Sequence, residues 1–313
     1  MLTCVIGGGG FIGGYLVEAL IATGRDVLVL GRRGERPHGL HTRASYRSCD
    51  YGDRNNLRQQ ISDCEEIIDL AYATVPQTSF ANPIFDLQAN LAPSVALFEE
   101  AKQLSRLRRL VVTSSGGTVY GLATRLPIIE DDRTAPISPY GITKLAIERY
   151  ALMFHQLSAL PVTIVRPANA YGLRQKPFTG QGFIATAMGR IMRRESVTIF
   201  GANGTIRDYI HVRDIASGIL CAMENGSPGE VYNLGSGVGR SNRDVLKEIE
   251  PFAERDGLAI EIECAQPRGF DVPANVLSYG KLLNHANWQP RISFETGLLD
   301  MWEGMPDYLD LNS

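Results

Sequence analysis

Tyr140 and Lys144 stand four residues apart in the run Ser138-Pro139-Tyr140-Gly141-Ile142-Thr143-Lys144. On a helix, residues at i and i+4 share a face. An ammonium beside a phenol favours the phenolate, so this spacing predicts a tyrosine whose pKa falls. Such a group can act as a general acid or base, and the lysine can also hydrogen-bond a ribose. The pair is common by chance, and its meaning comes from two stretches upstream. One is Thr113-Ser114-Ser115-Gly116-Gly117-Thr118-Val119-Tyr120-Gly121, which follows an apolar run. Hydroxyls at the carboxyl end of a strand can bond a substrate oxygen that gains or loses charge. A polar turn with no chemical role would read the same way.

The second stretch is Val5-Ile6-Gly7-Gly8-Gly9-Gly10-Phe11-Ile12-Gly13. Residues 2–6 are an apolar strand run, and 15–22 carry apolar residues at helical intervals. Gly7, Gly10 and Gly13 lie between them at G-x-x-G-x-x-G spacing. The first glycine permits a tight turn, the second lets backbone approach a pyrophosphate, and the third lets the helix pack close to the strand. The helix N-terminus then presents unpaired N–H groups and a partial positive charge to the anion. Strand, glycine turn and helix in this order predict a dinucleotide site.

The second strand ends Val29-Leu30-Gly31-Arg32-Arg33. An NAD site usually has an acid there for the adenine ribose, but here the position is Gly31. A guanidinium binds a 2′-phosphate well, so Arg32 and Arg33 favour NADP over NAD. The alternative is that both are solvated loop charges and NAD binds without the acid. Asp50 could contact the adenine or simply shape a turn.

These residues need elements to hold them. Strand signals recur at 26–30, 66–70, 110–114 and 162–166, with helical patterns at 55–62, 84–104 and 140–157 between them. This alternation predicts an α/β fold: a Rossmann-like, doubly wound parallel sheet with its ligands at the carboxyl ends of the strands. After about residue 173 the rhythm changes. Strands are expected at 231–234 and 260–264, and a helix at 241–256 capped by Ser241 or Asn242. The expected division is a dinucleotide-binding domain over 1–173, rejoined by about 208–224, and an interleaved, smaller α/β substrate lobe over 174–313. Residues 174–182 form a Gly- and Pro-bearing linker, which could order over substrate or be a plain surface loop.

The chain has 313 residues, 44% hydrophobic and 21% charged, with net charge −3. That balance is ordinary for a globular protein and argues against a nucleic-acid binder or a membrane-surface protein. No apolar run reaches the roughly 18 residues of a membrane span, and no signal-peptide pattern opens the chain. Cys4, Cys49, Cys64, Cys221 and Cys264 match no metal spacing. They read as free thiols of a cytoplasmic protein, and no metal site is expected.

Taken together, the glycine loop, Ser114 to Gly121, Tyr140 to Lys144 and Arg166-Pro167-Ala168-Asn169-Ala170-Tyr171-Gly172 resemble the extended short-chain dehydrogenase/reductases. Within these the chain is similar to the nucleotide-sugar epimerases and dehydratases of the UDP-glucose 4-epimerase type. Gly204 to Val212, Arg268-Gly269-Phe270-Asp271-Val272 and Trp288-Gln289-Pro290 carry the resemblance to about residue 303.

The resemblance implies roles for individual residues. Tyr140 would exchange a proton with a sugar hydroxyl, and Lys144 would tune it and hold the cofactor ribose. Ser115 would bind the same sugar oxygen, with Thr118 as the runner-up. Phe11 and Ile12 would join the three loop glycines against the cofactor, as would Tyr51 beside Asp50. Ala71 would line the nicotinamide side, with Leu70 and Tyr72 also against the cofactor, and Asn90 would be either structural or adjacent to the cofactor. Asn169 would contact the sugar diphosphate, and Arg207 and Arg268 would clamp its phosphates. A homodimer built through the apolar faces of the helices at 84–104 and 140–157 is also implied, and a face buried within the chain would read the same way.

The chain departs from the family pattern at three places. Gly116 stands where many relatives have Ser or Thr, Gly31 replaces the usual acid, and Pro93 follows Asn90 in a segment where relatives often have glycine. Gly117 and Thr118 stand where 4,6-dehydratases carry an Asp-Glu pair, which argues against dehydration. The expected function is epimerisation of a nucleotide sugar, at C4 of a UDP-hexose. The alternatives are an NADPH-dependent 4-keto-sugar reductase and, from another class, a non-catalytic cofactor sensor.

Overall fold

The structure, a computed structural model, describes residues 1–269 and 271–310. In chain order the first half contains β1 (Leu2–Ile6), α1 (Phe11–Ala22), β2 (Asp26–Gly31), β3 (Ser45–Ser48), α2 (Arg54–Ile61), β4 (Glu66–Asp69), α3 (Pro76–Ala81), α4 (Pro83–Ala101), β5 (Arg109–Thr113), α5 (Pro139–Ser158) and β6 (Val162–Pro167). Then follow β7 (Asn169–Tyr171), α6 (Phe183–Met192), β8 (Val197–Phe200), β9 (Ile206–His211), α7 (Val212–Asn225), β10 (Val231–Leu234), β11 (Gly239–Arg240), α8 (Asn242–Arg255), β12 (Ile262–Ala265), β13 (Ala274–Asn275), α9 (Gly280–Ala286) and α10 (Phe294–Asp310).

Seven strands form one parallel sheet in the order β10-β6-β5-β4-β1-β2-β3. This is the expected doubly wound Rossmann-like sheet. The strand order reverses between β1 and β4, and a crevice opens there at the carboxyl ends. Successive strand residues enter opposite cores. Val5, Val29, Ile68, Val111 and Val165 pack towards α1, α7 and α9. Cys4, Ile6, Leu28, Ile67, Leu110 and Ile164 pack towards α2, α4 and α5. Burial of both faces explains why these strands read as continuous apolar runs.

The helices that carry the site are fixed by local chemistry. Ser138 caps α5 by accepting from Gly141 N at 3.1 Å, and Pro139 pre-sets the first turn. Asn82 caps α4, accepting from Phe85 N. Pro93 does not break α4, which runs through it from Pro83 to Ala101. Ser241, not Asn242, caps α8 in a capping box with Asp244.

The C-terminal lobe is built on β7, β9, β11 and β13 with the β8–β12 pair, and a core of Tyr171, Met188, Tyr209, Ile249, Leu298 and Trp302. The chain returns to the large sheet at α7, which packs on α1, and again at β10, which pairs with β6 (Val231↔Ile164, Leu234↔Pro167). The sequence places 231–234 in the C-terminal lobe. The difference is one of long-range pairing: four apolar residues identify a strand but not the edge that receives it. Among the described residues no helix is long and apolar enough to cross a membrane.

Candidate active site

The glycine loop has the geometry its spacing predicts. Gly7 turns with φ +80°, and its N–H donates to Leu30 O at 2.8 Å. A Cβ on Gly13 would lie 2.6 Å from Gly7 O, so only glycine lets α1 come this close to the β1 turn. A Cβ on Gly7 would press on Ala71 and Leu70, which places the end of β4 against the loop. Gly10 is the N-cap of α1, makes no side-chain cap and has no acidic residue in the turn after it. The first N–H groups of α1 therefore remain for an anion. These features fit a dinucleotide pyrophosphate, with Phe11 and Ile12 forming the first helical turn.

At the adenosine end, a Cβ on Gly31 would lie 3.0 Å from the Tyr46 hydroxyl. Tyr46 donates that hydroxyl to Arg33 O at 2.6 Å. The tyrosine thus fills the space an acidic side chain would need, and Arg32 and Arg33 are exposed beside it. Asp50 caps its own turn, accepting from Gly52 N at 3.0 Å. Tyr51 points inward and donates to Asp69 at 2.6 Å. Asp69 also accepts from Ala71 N, and burial raises its pKa.

Tyr140 and Lys144 share the inner face of α5, but the electrostatics differ from the sequence expectation. The pKa of Tyr140 is raised, first by burial and then by the nearby Asp86 carboxylate, and only a hydrogen bond with Ser115 pulls it down. Burial and Asp86 set this direction, and the ammonium sits nearer another ring. Lys144 Nζ lies 4.0 Å from the centroid of the Tyr72 ring and 5.9 Å from that of Tyr140. It donates to Thr113 O at 2.8 Å. Burial lowers Lys144 to about 8, against the pull of Asp69, Glu148 and Asp86.

Ser115 follows β5 in a tight turn closed by Thr118 N and Val119 N on its carbonyl. Its hydroxyl faces Tyr140. The Thr118 hydroxyl is buried without a protein partner. A Cβ on Gly117 would lie 3.3 Å from Asn169 Oδ1 and 3.9 Å from Ser115 Oγ, so Asn169 at the start of β7 joins this cluster. Arg207 on β9 donates to Val272 O at 2.7 Å, and burial lowers its pKa with Arg268 adding repulsion. Arg268 stacks on Phe200, 4.2 Å from its centroid, and pairs with Asp271 at 2.7 Å. Arg207 and Arg268 are close enough to repel each other electrostatically. Phe270, part of that motif, lies outside the described residues. The 174–182 linker is tethered by Arg174 to Glu18 and by Phe178 N to Thr186 Oγ1.

Several residues were not singled out from the sequence. Asp86 is fully buried and accepts from Thr74, from Thr143 at 2.6 Å and from Asn90. Asn90 in turn accepts from Ala73 N at 2.7 Å and so anchors the segment after β4. Asp86 lies four residues before Asn90 on α4, a spacing that signals one helix face. Glu148 follows Lys144 by four and pairs with Arg166 at 2.6 Å, both buried. Arg166 also donates to Tyr120, which donates to Asn233. This network supports the floor of the Ser115 turn, because Ser114 donates to Glu148. Asn275 donates to Gly116 O at 3.0 Å from the far lobe, a contact that no local pattern announces.

The chain is similar to known proteins over nearly its whole length. Residues 3–235 match the model of the NAD dependent epimerase/dehydratase family. The chain is 32% identical to the UDP-glucose 4-epimerase of Mycolicibacterium smegmatis, over 95% of this chain and 96% of that protein. The structure of UDP-glucose 4-epimerase with UDP-glucose from Thermotoga maritima superposes with TM-score 0.92 at 32% identity, over 99% of this chain and 100% of that one. The UDP-glucose 4-epimerase of Thermus thermophilus, complexed with NAD, superposes with TM-score 0.90 at 30% identity, covering 98% and 99% of the two chains. The chain belongs to the NAD dependent epimerase/dehydratase family and is an NAD(P)-dependent enzyme of its nucleotide-sugar epimerase kind.

Proposed function

We propose that the protein interconverts C4 epimers of a UDP-hexose, with Tyr140 as the acid/base. One observation carries this reading above the others. The Ser115 hydroxyl bonds Tyr140, and Asn169 stands beside Ser115 across Gly117, at the carboxyl ends of β5 and β6. A sugar held by its diphosphate at the arginines would reach the tyrosine with its ring.

The loop glycines, Phe11, Ile12, Leu70, Ala71, Tyr72 and Lys144 would hold the dinucleotide, with Asp50 and Tyr51 at its adenosine end. When bound, the nicotinamide supplies reversible hydride acceptance at the reacting sugar carbon. Tyr140 takes the proton of the C4 hydroxyl and returns it after the sugar has turned its other face. Ser115 donates to the same oxygen, with Thr118 as the second hydroxyl in reach. Lys144 stays charged below about pH 8 and so favours the phenolate while the proton is away. Arg207, Arg268 and Asn169 keep the diphosphate fixed so that only the sugar moves.

For the cofactor we favour NADP over NAD, on the exposed Arg32–Arg33 pair and the space filled by Tyr46 at Gly31. The same arginines favour a second reading, an NADPH-dependent 4-keto-sugar reductase. Proton NMR of the purified protein with UDP- and dTDP-sugars separates the two. Interconversion of C4 epimers without added cofactor supports the epimerase, whereas NADPH consumption only with a 4-keto sugar overturns it. The division into a dinucleotide domain, 1–173 with about 208–224 and the returning strand β10, and a substrate lobe goes with this reading. So does a homodimer: α4 and α5 expose the apolar side chains Ile84, Leu87, Ile142, Met153 and Leu157, which a second copy would cover. Light scattering on a size-exclusion column tests the dimer.

A further inference from the structure

The ring of Tyr72 lies between the two residues the reaction uses. Its face is 4.0 Å from Lys144 Nζ, and its centroid is 4.7 Å from that of Tyr140 at an interplanar angle of 64°. Its hydroxyl lies 3.4 Å from both Asp86 Oδ1 and Tyr140 O. The backbone after it is fixed, because Ala73 N donates to Asn90. The ring is therefore held from both ends, at a place where the ammonium is buried.

We propose that Tyr72 is a positioning residue for the catalytic pair: its ring face seats the Lys144 ammonium and its contact with Tyr140 sets the tilt of the phenol. This rests on the proposed reaction only for its catalytic consequence. The carboxylates facing Lys144 are committed elsewhere. Asp69 on β4 accepts from Tyr51 and Ala71 N, Asp86 on α4 accepts from Thr74 and Thr143, and Glu148 on α5 pairs with Arg166. All three act on Lys144 only at a distance. Close at hand, the ammonium has the Thr113 carbonyl and the Tyr72 π-face. A cation over an aromatic face gains most where water is excluded, so the ring does locally what a counter-ion would otherwise do. A carboxylate in its place would draw the ammonium away from the phenol. A neutral ring holds the charge 5.9 Å from the Tyr140 ring and adds no second negative group beside the phenol.

The test follows the Lys144 ammonium itself. Protein with ¹³C-labelled lysine is titrated by NMR, and the Lys144 Cε signal is assigned by its loss in Lys144→Met. Replacing the ring by an aliphatic chain in Tyr72→Leu should lower the Lys144 midpoint by about one pH unit, a tenfold loss in proton affinity. Tyr72→Phe keeps the π-face and should restore the wild-type midpoint. Tyr72→Met serves as the ring-free variant if Tyr72→Leu does not fold. An unchanged midpoint in the ring-free protein overturns the proposal, as does a shift in Tyr72→Phe as large as that in Tyr72→Leu. The alkaline limb of kcat/KM should move in the same order as the midpoints, and a limb that stays put refutes the catalytic role. The titration needs no sugar, so an absence of epimerase activity would refute the proposed reaction and leave the seat of Lys144 standing.

Discussion

Leu277 occupies the space that a side chain on Gly116 would need: a Cβ there would lie 2.3 Å from Leu277 Cδ1 and 3.0 Å from Arg166 O. Leu277 cannot readily yield. It is fully buried, its N–H donates to Asp208 at 3.0 Å, and it bridges Ile128. Leu277, packed in the core of the large sheet, thus dictates a glycine at position 116, and Ser115, one residue earlier, is left to face Tyr140. Gly116→Ser should therefore not improve the enzyme. Overpacking of this kind costs about 1–3 kcal/mol, and a lower melting temperature with reduced kcat is expected. Gly116→Ser should cost less in a Leu277→Ala background than in the wild type, a difference that a double-mutant cycle measures.

Tyr140→Phe removes the proposed proton carrier and keeps the ring contact with Tyr72. Turnover should fall by roughly 10²–10⁴-fold, while the dinucleotide still binds, as followed by its fluorescence. Ser115→Ala removes one hydrogen bond and should cost about tenfold in kcat. If Thr118→Ala costs more than Ser115→Ala, the buried Thr118 hydroxyl is the one that meets the sugar oxygen.

The parts legible in the sequence were those set by local spacing. Gly7, Gly10 and Gly13 fix a turn within seven residues, and the strand–helix rhythm gives the parallel sheet. Tyr140 and Lys144 share a face because a helix repeats. What the sequence does not reveal comes from other elements. The phenol was expected to have a lowered pKa, yet Asp86 from α4 and burial raise it, and Tyr72 from the end of β4 takes the near side of the ammonium. Leu277 and Asn275 reach the Ser115 turn from well over a hundred residues away. No periodicity encodes such a meeting.

The pH dependence follows from Lys144, lowered by burial to about 8 from an ordinary 10.5. Below about 8 the ammonium is charged and supports the Tyr140 phenolate, so kcat/KM should fall as pH rises through that value. Folding stability should run the other way. Between about 8 and 10.5 the unfolded chain binds a proton that the folded chain has lost, so this site's contribution to stability rises with pH over that window. Lys144→Met should remove both effects: the alkaline limb disappears along with most activity, and urea midpoints lose that component of their rise.

Arg166 and Glu148 form a buried ion pair at 2.6 Å under the Ser115 turn. Removing one partner strands the other charge, at a cost of about 3–5 kcal/mol. Glu148→Gln should lower the denaturant midpoint sharply, and Arg166→Met combined with Glu148→Leu should be milder than either change alone. Activity need not recover with stability in the double variant, because Ser114 also donates to Glu148 and the turn would lose that anchor.

The cofactor preference should be decided at Gly31, Arg32 and Arg33. Both arginines are exposed beside the end of β2, and Tyr46 closes the space where an acid would reach the ribose. With bound dinucleotide stripped, calorimetry should give tighter binding of NADP than NAD. Arg32→Ala with Arg33→Ala should erase the difference, since each charge-assisted bond to a phosphate contributes about 1.5–3 kcal/mol. If NAD binds more tightly and the double variant is unchanged, the two arginines are solvated loop charges. Gly31→Asp alone should not create an NAD site, because its Cβ would lie 3.0 Å from the Tyr46 hydroxyl. Combined with Tyr46→Ser, which opens that space, the new carboxylate could reach the ribose hydroxyls and would repel a 2′-phosphate. A gain in NAD affinity confined to the Gly31→Asp/Tyr46→Ser double variant would show that the tyrosine, as much as the missing acid, sets the choice.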